Sequence, residues 1–148
     1  GLSFDFPILA EESGLDLECR ELTLNHVDMM FHVFCMKGHY LGLEAAAGGM
    51  GLPGKTPGMS GADAPRLWAQ GEYGRVLEYV AQDVRTTADL AQACDNRRAL
   101  LWTCQRGNPH SVDLPSGWLT VREALALPEP DTSWMTDPPT REEFVGWM

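Results

Sequence analysis

Long hydrophobic runs and paired cysteines are both missing from this sequence. No apolar stretch approaches the roughly 18 residues that a membrane-spanning helix requires, and no basic segment followed by an apolar one opens the chain. The few cysteines stand far apart and form no CxxC pair, which argues against a disulfide framework and a zinc ribbon. We therefore expect a soluble, cytoplasmic protein with reduced, mostly buried thiols. The cysteines are Cys19, Cys35, Cys94 and Cys104.

Basic residues are scarce as well, since 11 Lys and Arg stand against 21 Asp and Glu, for a net charge of −10. This balance argues against a broad basic surface that would hold nucleic acid by phosphate contacts alone. It leaves open a metal-dependent nuclease, in which carboxylates gather divalent cations and the cations meet the phosphate. The 148 residues, 44% of them apolar, are enough for one domain with its own core.

The first third of the chain predicts two short helices and an extended segment. A helix begins near Pro7 and ends at Gly14, because proline is tolerated in a first turn and glycine favours a helix end. Partial alternation predicts an extended segment over Leu17 to Val27. Asp28 then caps a second helix, which ends at Gly38.

A glycine-rich stretch separates these elements from the longest predicted helix. After a short helix at Leu41 to Ala47, the density of Gly and Pro over Gly48 to Gly61 predicts a loop. Another helical pattern covers Ala62 to Ala69, and the longest helix runs from about Glu72 to Cys94. We expect its buried stripe to consist of Val76, Val80, Val84, Ala88 and Ala91.

The remaining residues predict a β-hairpin and a helical tail. Extended segments flank the turn Arg106-Gly107-Asn108-Pro109, and Thr120-x-x-Glu123 and Thr140-x-x-Glu143 are capping boxes that begin short helices. The fold class is therefore a predominantly helical α+β protein. We divide it into residues 1–95, which carry the functional motifs, and 96–148, whose role the sequence leaves open.

The segment Gly49 to Thr56 satisfies the phosphate-loop pattern G-x-x-x-x-G-K-[ST] with Lys55. A phosphate loop has to leave a strand and enter a helix, because the loop amides and the helix N-terminus hold the phosphates together. Here a helical pattern precedes the loop, and Pro57-Gly58 follows it. Nucleotide binding is therefore less favoured than the two candidate functions described below.

Three further groups of residues are candidate sites. His26, His32, Cys35 and His39 are zinc-ligand types whose spacing fits packing better than metal binding. Tyr79 and Asp83 are four apart on the longest helix, so a phenol and a carboxylate project side by side, as at a site that holds a metal and orients its water. The last candidate, Asp5, stands at a helix start, where aspartate is also a common cap.

Asp5, in Phe4-Asp5-Phe6-Pro7, and Tyr79-x-x-x-Asp83 resemble the second and third motifs of the DEDDy branch of 3′–5′ exonucleases, which are DnaQ-like and ribonuclease H-like. The residues in between are similar to predicted exonucleases related to the proofreading domain of family B DNA polymerases. The similar features are His26-x-Asp28, the loop Gly51 to Lys55 and Trp68.

This resemblance implies two-metal hydrolysis of nucleic acid 3′ ends, with Mg²⁺ or Mn²⁺ as cofactor and DNA favoured over RNA as substrate. Asp83 would bind metal directly, Asp5 would bind it directly or through water, and Tyr79 would position the attacking water.

The family's first motif, Asp-x-Glu on a strand, is expected upstream of Asp5 and is missing here. Asp16-x-Glu18 has the letters but follows Asp5 in the chain. Because the chain also begins at Gly1 without methionine, we expect the C-terminal part of a ribonuclease H-like fold, inactive alone. Helices that lack their sheet would bury apolar faces elsewhere, for example in a homodimer.

A non-catalytic interaction module is the second candidate function. It would use tryptophans of the tail to stack bases or fill a partner's pocket, although such residues more often belong to a core. These residues are Trp102, Trp118, Trp134 and Trp147.

Overall fold

A computed structural model describes residues 1–54, 60–104 and 106–148. The chain divides into two compact units. Unit 1 combines Gly1–Gly42 with Leu114–Met148, and unit 2 consists of Leu43–Asp113. The two units are defined by contacts within the structure. The division at residue 95 is based on the sequence motifs and stays a prediction.

The described residues are mostly helical and contain one small antiparallel sheet, which agrees with the predicted α+β class. No helix among them is long and apolar enough to cross a membrane. The helices of unit 1 are α1 (Asp5–Ser13), α2 (Asp16–Asn25), α3 (Met29–Lys37), α7 (Val121–Leu125) and α8 (Glu142–Val145). Unit 2 contains α4 (Leu43–Gly49), a 3₁₀ helix (Gly61–Asp63), α5 (Ala64–Ala69), α6 (Tyr73–Arg97), β1 (Ala99–Thr103) and β2 (Pro109–Asp113).

Helices α1 and α3 begin and end close to the predicted positions. Gly14 and Gly38 close them in the left-handed conformation, which glycine adopts without steric cost. Asp28 caps α3, since its carboxylate accepts a hydrogen bond of 3.0 Å from the amide of Phe31.

The extended segment predicted for residues 17–27 is wrong, because α2 is helical. Its buried residues, Cys19 and Thr23, are four apart, and the Thr23 hydroxyl donates to the Cys19 carbonyl at 2.7 Å. Acidic side chains in the first turn favour the helix through its dipole. The alternation of apolar and polar residues wrongly indicated a strand with one buried face, because Leu22, one of its apolar residues, is 59% exposed.

The core of unit 1 joins the two ends of the chain. Phe144 in α8 packs on Phe31 and Phe34 in α3, with ring centroids 5.1 and 4.8 Å apart. The indole of Trp147 donates to the Leu2 carbonyl at 3.0 Å. The predicted capping box of Thr120 and Glu123 is confirmed at the start of α7. The tail is therefore an integral part of this unit.

Unit 2 is built on α6 and the hairpin that follows it. Strands β1 and β2 pair antiparallel, with Leu100 opposite Val112 and Trp102 opposite His110, which confirms the predicted hairpin. Helix α4 packs on β1, and α4 and α5 both contact α6.

The predicted buried stripe of α6 is wrong in most of its members. Val80 and Val84 are 47% and 63% exposed. Their exposure shows that α6 turns a different face inward, although an apolar stripe at helical spacing is normally the buried one. The buried residues are Val76, Tyr79, Thr86, Leu90 and Cys94.

Gly49 lies where α4 comes closest to the hairpin. A Cβ atom at this position would overlap the Leu101 carbonyl oxygen and the Trp102 Cα atom. Nothing lies within 4 Å of a Cβ at the neighbouring Gly48. The glycine pair therefore contains one residue that packing requires and one that it does not.

We expect Gly49→Ala to destabilise the protein by about 1–3 kcal/mol, since the added methyl group overpacks the contact with β1. Gly48→Ala is the matched control and should stabilise by about 0.5–1 kcal/mol, as expected for alanine in a helix. Urea unfolding of both variants measures the two free energies. Equal effects would contradict the assigned contact.

His32 is buried against the returning tail. Its Nδ1 accepts a hydrogen bond of 3.3 Å from the Leu119 amide, and its ring meets Trp118 edge to face. Burial lowers the pKa of His32 below its ordinary value of 6.5, and the charge of Glu123 opposes this shift. The imidazole is therefore neutral when it holds the tail.

This burial predicts a loss of stability in mild acid. The unfolded chain takes up a proton at His32 near pH 6.5, and the folded chain does so only at lower pH. The contribution of neutral His32 to the free energy of unfolding is therefore complete above pH 6.5. It declines as the pH falls from 6.5 through the lowered folded pKa. Urea unfolding between pH 7.5 and 5.5 should show this decline in wild type and in His110→Asn, an exposed-histidine control, but not in His32→Asn. A decline that persists in His32→Asn would contradict the assignment.

Candidate functional site

The Tyr79 hydroxyl and the Asp83 carboxylate lie next to each other on α6, one turn apart. The Tyr79 side chain is buried, whereas Asp83 is half-buried. Burial raises the pKa of Tyr79 above its ordinary value of 10, and the hydrogen bond to the Asp83 carboxylate and the charge of that carboxylate raise it further. The side-by-side placement predicted from the helical spacing is therefore confirmed.

The Tyr79 hydroxyl lies close to the 3₁₀ helix of unit 2. Tyr79 belongs to the buried face of α6, and its hydroxyl lies 3.7 Å from the position of a Cβ atom at Gly61. A capping box holds the 3₁₀ helix in place, since Asp63 accepts from the Ser60 amide at 3.0 Å and from its hydroxyl at 2.8 Å. The phenol thus lies close to the 3₁₀ helix, while Asp83 keeps contact with solvent.

Asp5 lies in unit 1, at the first position of α1. Phe4 occupies the N-cap position, so Asp5 supports the helix through its dipole and is not the cap. Its carboxylate is 3.1 Å from the amino nitrogen of Gly1 and its side chain is 74% exposed. Asp28 lies 3.8 Å from the same nitrogen.

Asp5 therefore belongs to a different unit from Tyr79 and Asp83. Among residues 1–54, 60–104 and 106–148, no three His, Cys, Asp or Glu side chains form a group that could hold a metal ion. The residues described do not by themselves fit a Mg²⁺ or Mn²⁺ site. Metal ligation by Asp5 and Asp83 stays a prediction.

The residues considered for zinc have packing roles. His32 and Cys35 are buried in α3, and burial raises the pKa of the Cys35 thiol to about 11, so the thiolate that a metal requires is disfavoured. His26 meets Phe6 edge to face at 5.2 Å. His39 lies 3.2 Å from the Tyr40 carbonyl oxygen through its Nδ1.

The phosphate-loop pattern lacks the element that it needs. The residues before it form α4, a helix, where nucleotide binding requires a strand. Gly49 serves the contact of α4 with β1. Lys55 and Thr56 lie outside the described residues.

Most tryptophans of the tail take part in packing. Trp102 is buried and Trp118 and Trp147 are half-buried, whereas Trp134 is 66% exposed. This arrangement favours the core role of such residues and leaves little support for an interaction module based on them.

The charge of the chain is divided unequally between the units, a feature that the sequence analysis missed. Unit 1 contains 13 acidic and four basic residues, whereas unit 2 contains eight acidic and seven basic ones. The concentration of arginine between residues 66 and 106 is the signal that could have revealed it. The unit with Tyr79 and Asp83 is therefore close to neutral.

One comparison with known proteins finds a match in the same part of the chain. Residues 18–90, just under half of the chain, match a family described as a predicted 3′–5′ exonuclease related to the exonuclease domain of PolB. This segment contains Tyr79 and Asp83 and begins after Asp5. No curated protein and no solved structure matches the chain. The middle of the chain is thus similar to an exonuclease family.

Asp83→Asn should lower the pKa of Tyr79 toward its ordinary value, because the carboxylate charge that disfavours the phenolate is removed. A pH titration of ¹³Cζ-labelled tyrosine by NMR measures this shift. Asp89→Asn removes an exposed carboxylate from the same helix and should leave Tyr79 unchanged. Equal shifts in both variants would contradict the assigned pairing of Tyr79 with Asp83.

Proposed function

We propose that this chain is part of a 3′–5′ exonuclease of the DEDDy type, a hydrolase that removes nucleotides from nucleic acid 3′ ends. The observation that carries the proposal is the Tyr79–Asp83 pair, which lies within the segment similar to predicted exonucleases. DNA is the favoured substrate. Mg²⁺ and Mn²⁺ are the cofactors that the proposal implies.

Each site residue has a defined role in this proposal. Asp83 would be a direct metal ligand, since its carboxylate is the solvent-contacting member of the pair. Tyr79 would position the attacking water, because its hydroxyl is held next to that carboxylate. Asp5 would supply a further carboxylate, directly or through water, since its side chain is 74% exposed and therefore accessible to a cation.

The proposed site needs more carboxylates than these. A two-metal site holds its ions about 3.5–4 Å apart by several shared ligands. The described residues form no group of three potential ligands, so the proposal requires others, such as the Asp-x-Glu of the first motif. We accordingly expect the 148 residues alone to be inactive.

The charge distribution supports a nucleic acid substrate more than the overall net charge does. Unit 2 combines nearly equal numbers of acidic and basic residues, and the acid excess lies in unit 1.

Exposed apolar side chains on α1 and α2 also support the homodimer as part of the proposal. They are Phe4, at the N-cap of α1, and Ile8, Leu9, Leu17 and Leu22 within the two helices.

Binding of Mn²⁺ tests the proposal without requiring turnover. Titration of a protein that also carries the first motif, followed by electron paramagnetic resonance of free Mn²⁺, should show binding that weakens by about 10-fold or more in Asp83→Asn. The matched control is Asp89→Asn, which removes the same charge from an exposed position on α6 and should bind Mn²⁺ like wild type.

Absence of Mn²⁺ binding, or equal loss in both variants, would contradict the role of Asp83. A second measurement applies to the same protein. There, Asp83→Asn should abolish metal-dependent release of nucleotides from a 3′-labelled oligonucleotide, and unchanged turnover would overturn the proposal.

A further inference from the structure

A cavity of about 410 Å³ lies at the surface of unit 1, between the residues that follow α3 and the tail. This volume is within the range of pockets that bind small ligands. Aromatic, proline and carboxylate side chains form its walls, and no Lys or Arg lines it among the residues that the structure describes. The lining includes His39, Tyr40, Asp137, Pro138, Pro139 and Glu143.

Tyr40 is held in this cavity by the core of unit 1. Its ring packs against Phe34 and Phe144, with centroids 5.5 and 5.4 Å apart, and 49% of the side chain stays exposed. Its hydroxyl donates to the Glu143 carboxylate at 2.7 Å. An aromatic ring attracts a cation that lies over its face within about 6 Å of its centre. The cavity therefore contains an aromatic ring in a fixed position.

The Glu143 carboxylate is fixed as well. One of its oxygens accepts from the Tyr40 hydroxyl, and the other accepts from the Thr140 amide at 2.9 Å. These two hydrogen bonds lower the pKa of Glu143 below its ordinary value of 4.5, so the group is ionised at neutral pH. Because a carboxylate offers about four acceptor sites, both oxygens can accept a further hydrogen bond.

The segment that forms one side of the cavity is acidic. Residues 129–143 contain five Asp and Glu side chains and a single basic one, Arg141. Only 12% of the Arg141 side chain is exposed, and its guanidinium donates to the carbonyl oxygens of Leu125, Leu127 and Pro128. Arg141 also lines a neighbouring cavity rather than this one. The charge of the cavity is therefore complementary to a cation.

We propose that this cavity binds an arginine side chain of a partner polypeptide. A guanidinium group is planar and carries a fork of N–H donors, so it suits both an aromatic ring such as Tyr40 and carboxylates such as Glu143 and Asp137. Pro138 and Pro139 add apolar surface for the methylene groups of the arginine. Neither Tyr79 nor Asp83 takes part, so the inference goes beyond the proposed exonuclease function.

Titration of the ¹⁵N-labelled chain with the peptide acetyl-Gly-Arg-Gly-amide, followed by NMR at pH 7.5 in about 0.15 M salt, tests this inference. The amide signals of Tyr40 and Glu143 should shift, and Glu143→Gln should raise the dissociation constant by about three-fold or more, as expected for an exposed ion pair. This variant keeps a side-chain oxygen as acceptor for Tyr40 and Thr140. Asp137→Asn should weaken binding in the same direction.

Glu12→Gln is the matched control, because it removes the same charge from an exposed position on α1, outside the cavity lining. It should bind the peptide like wild type. The peptide with citrulline, a neutral isostere of arginine, should not shift the signals of Tyr40 and Glu143.

Three outcomes would overturn the inference. Equal dissociation constants for Glu143→Gln and Glu12→Gln would show that binding follows net charge alone, and equal affinity for the citrulline peptide would show that no cation is recognised. Agmatine, a free guanidinium compound, shares the chemistry of arginine. If it bound this cavity more tightly than the peptide, the site would belong to a small molecule and not to a partner polypeptide. Asp83 is unchanged in every variant, so the Mn²⁺ titration judges the exonuclease proposal separately.

Discussion

The contact of Phe144 with Phe31 and Phe34 is the interaction on which the arrangement of the chain depends. It joins a helix near the C-terminus to the third helix from the N-terminus, so unit 1 is complete only when both ends of the chain are present. Arg141 reinforces this closure. Its guanidinium donates to the carbonyl oxygens of Leu125, Leu127 and Pro128 at 2.9–3.0 Å, which satisfies the last carbonyl group of α7 and two carbonyl groups of the segment that follows it.

Helix α6 is the central element of unit 2, and its two faces differ in burial. One face packs inward and positions the Tyr79 hydroxyl beside Asp83. The other carries Leu77, Val80 and Val84 to solvent, although burying such side chains is the main source of folding stability. The exposed apolar face of α6 therefore contributes little to the stability of the fold, as expected for a surface that binds another molecule.

Features that depend on a few neighbouring residues were predictable from the sequence. Gly14 and Gly38 end helices, Asp28 and Thr120 begin them, and the turn at Gly107 connects two strands. Each of these outcomes is decided by backbone conformation or by a hydrogen bond within four residues. The pairing of Tyr79 with Asp83 belongs to the same group, because one helical turn separates them.

The sequence by itself determined the ends of α1 and α3, the start of α7, the hairpin and the phenol–carboxylate pair. Only the tertiary structure decided that α6 buries Tyr79 and Leu90 instead of Val80 and Val84, that Gly49 serves a close contact with β1, and that Asp5 and Asp83 belong to different units. The physical reason is that α6 has apolar residues on more than one face. Periodicity identifies such faces, but which one is covered depends on partners that are distant in sequence.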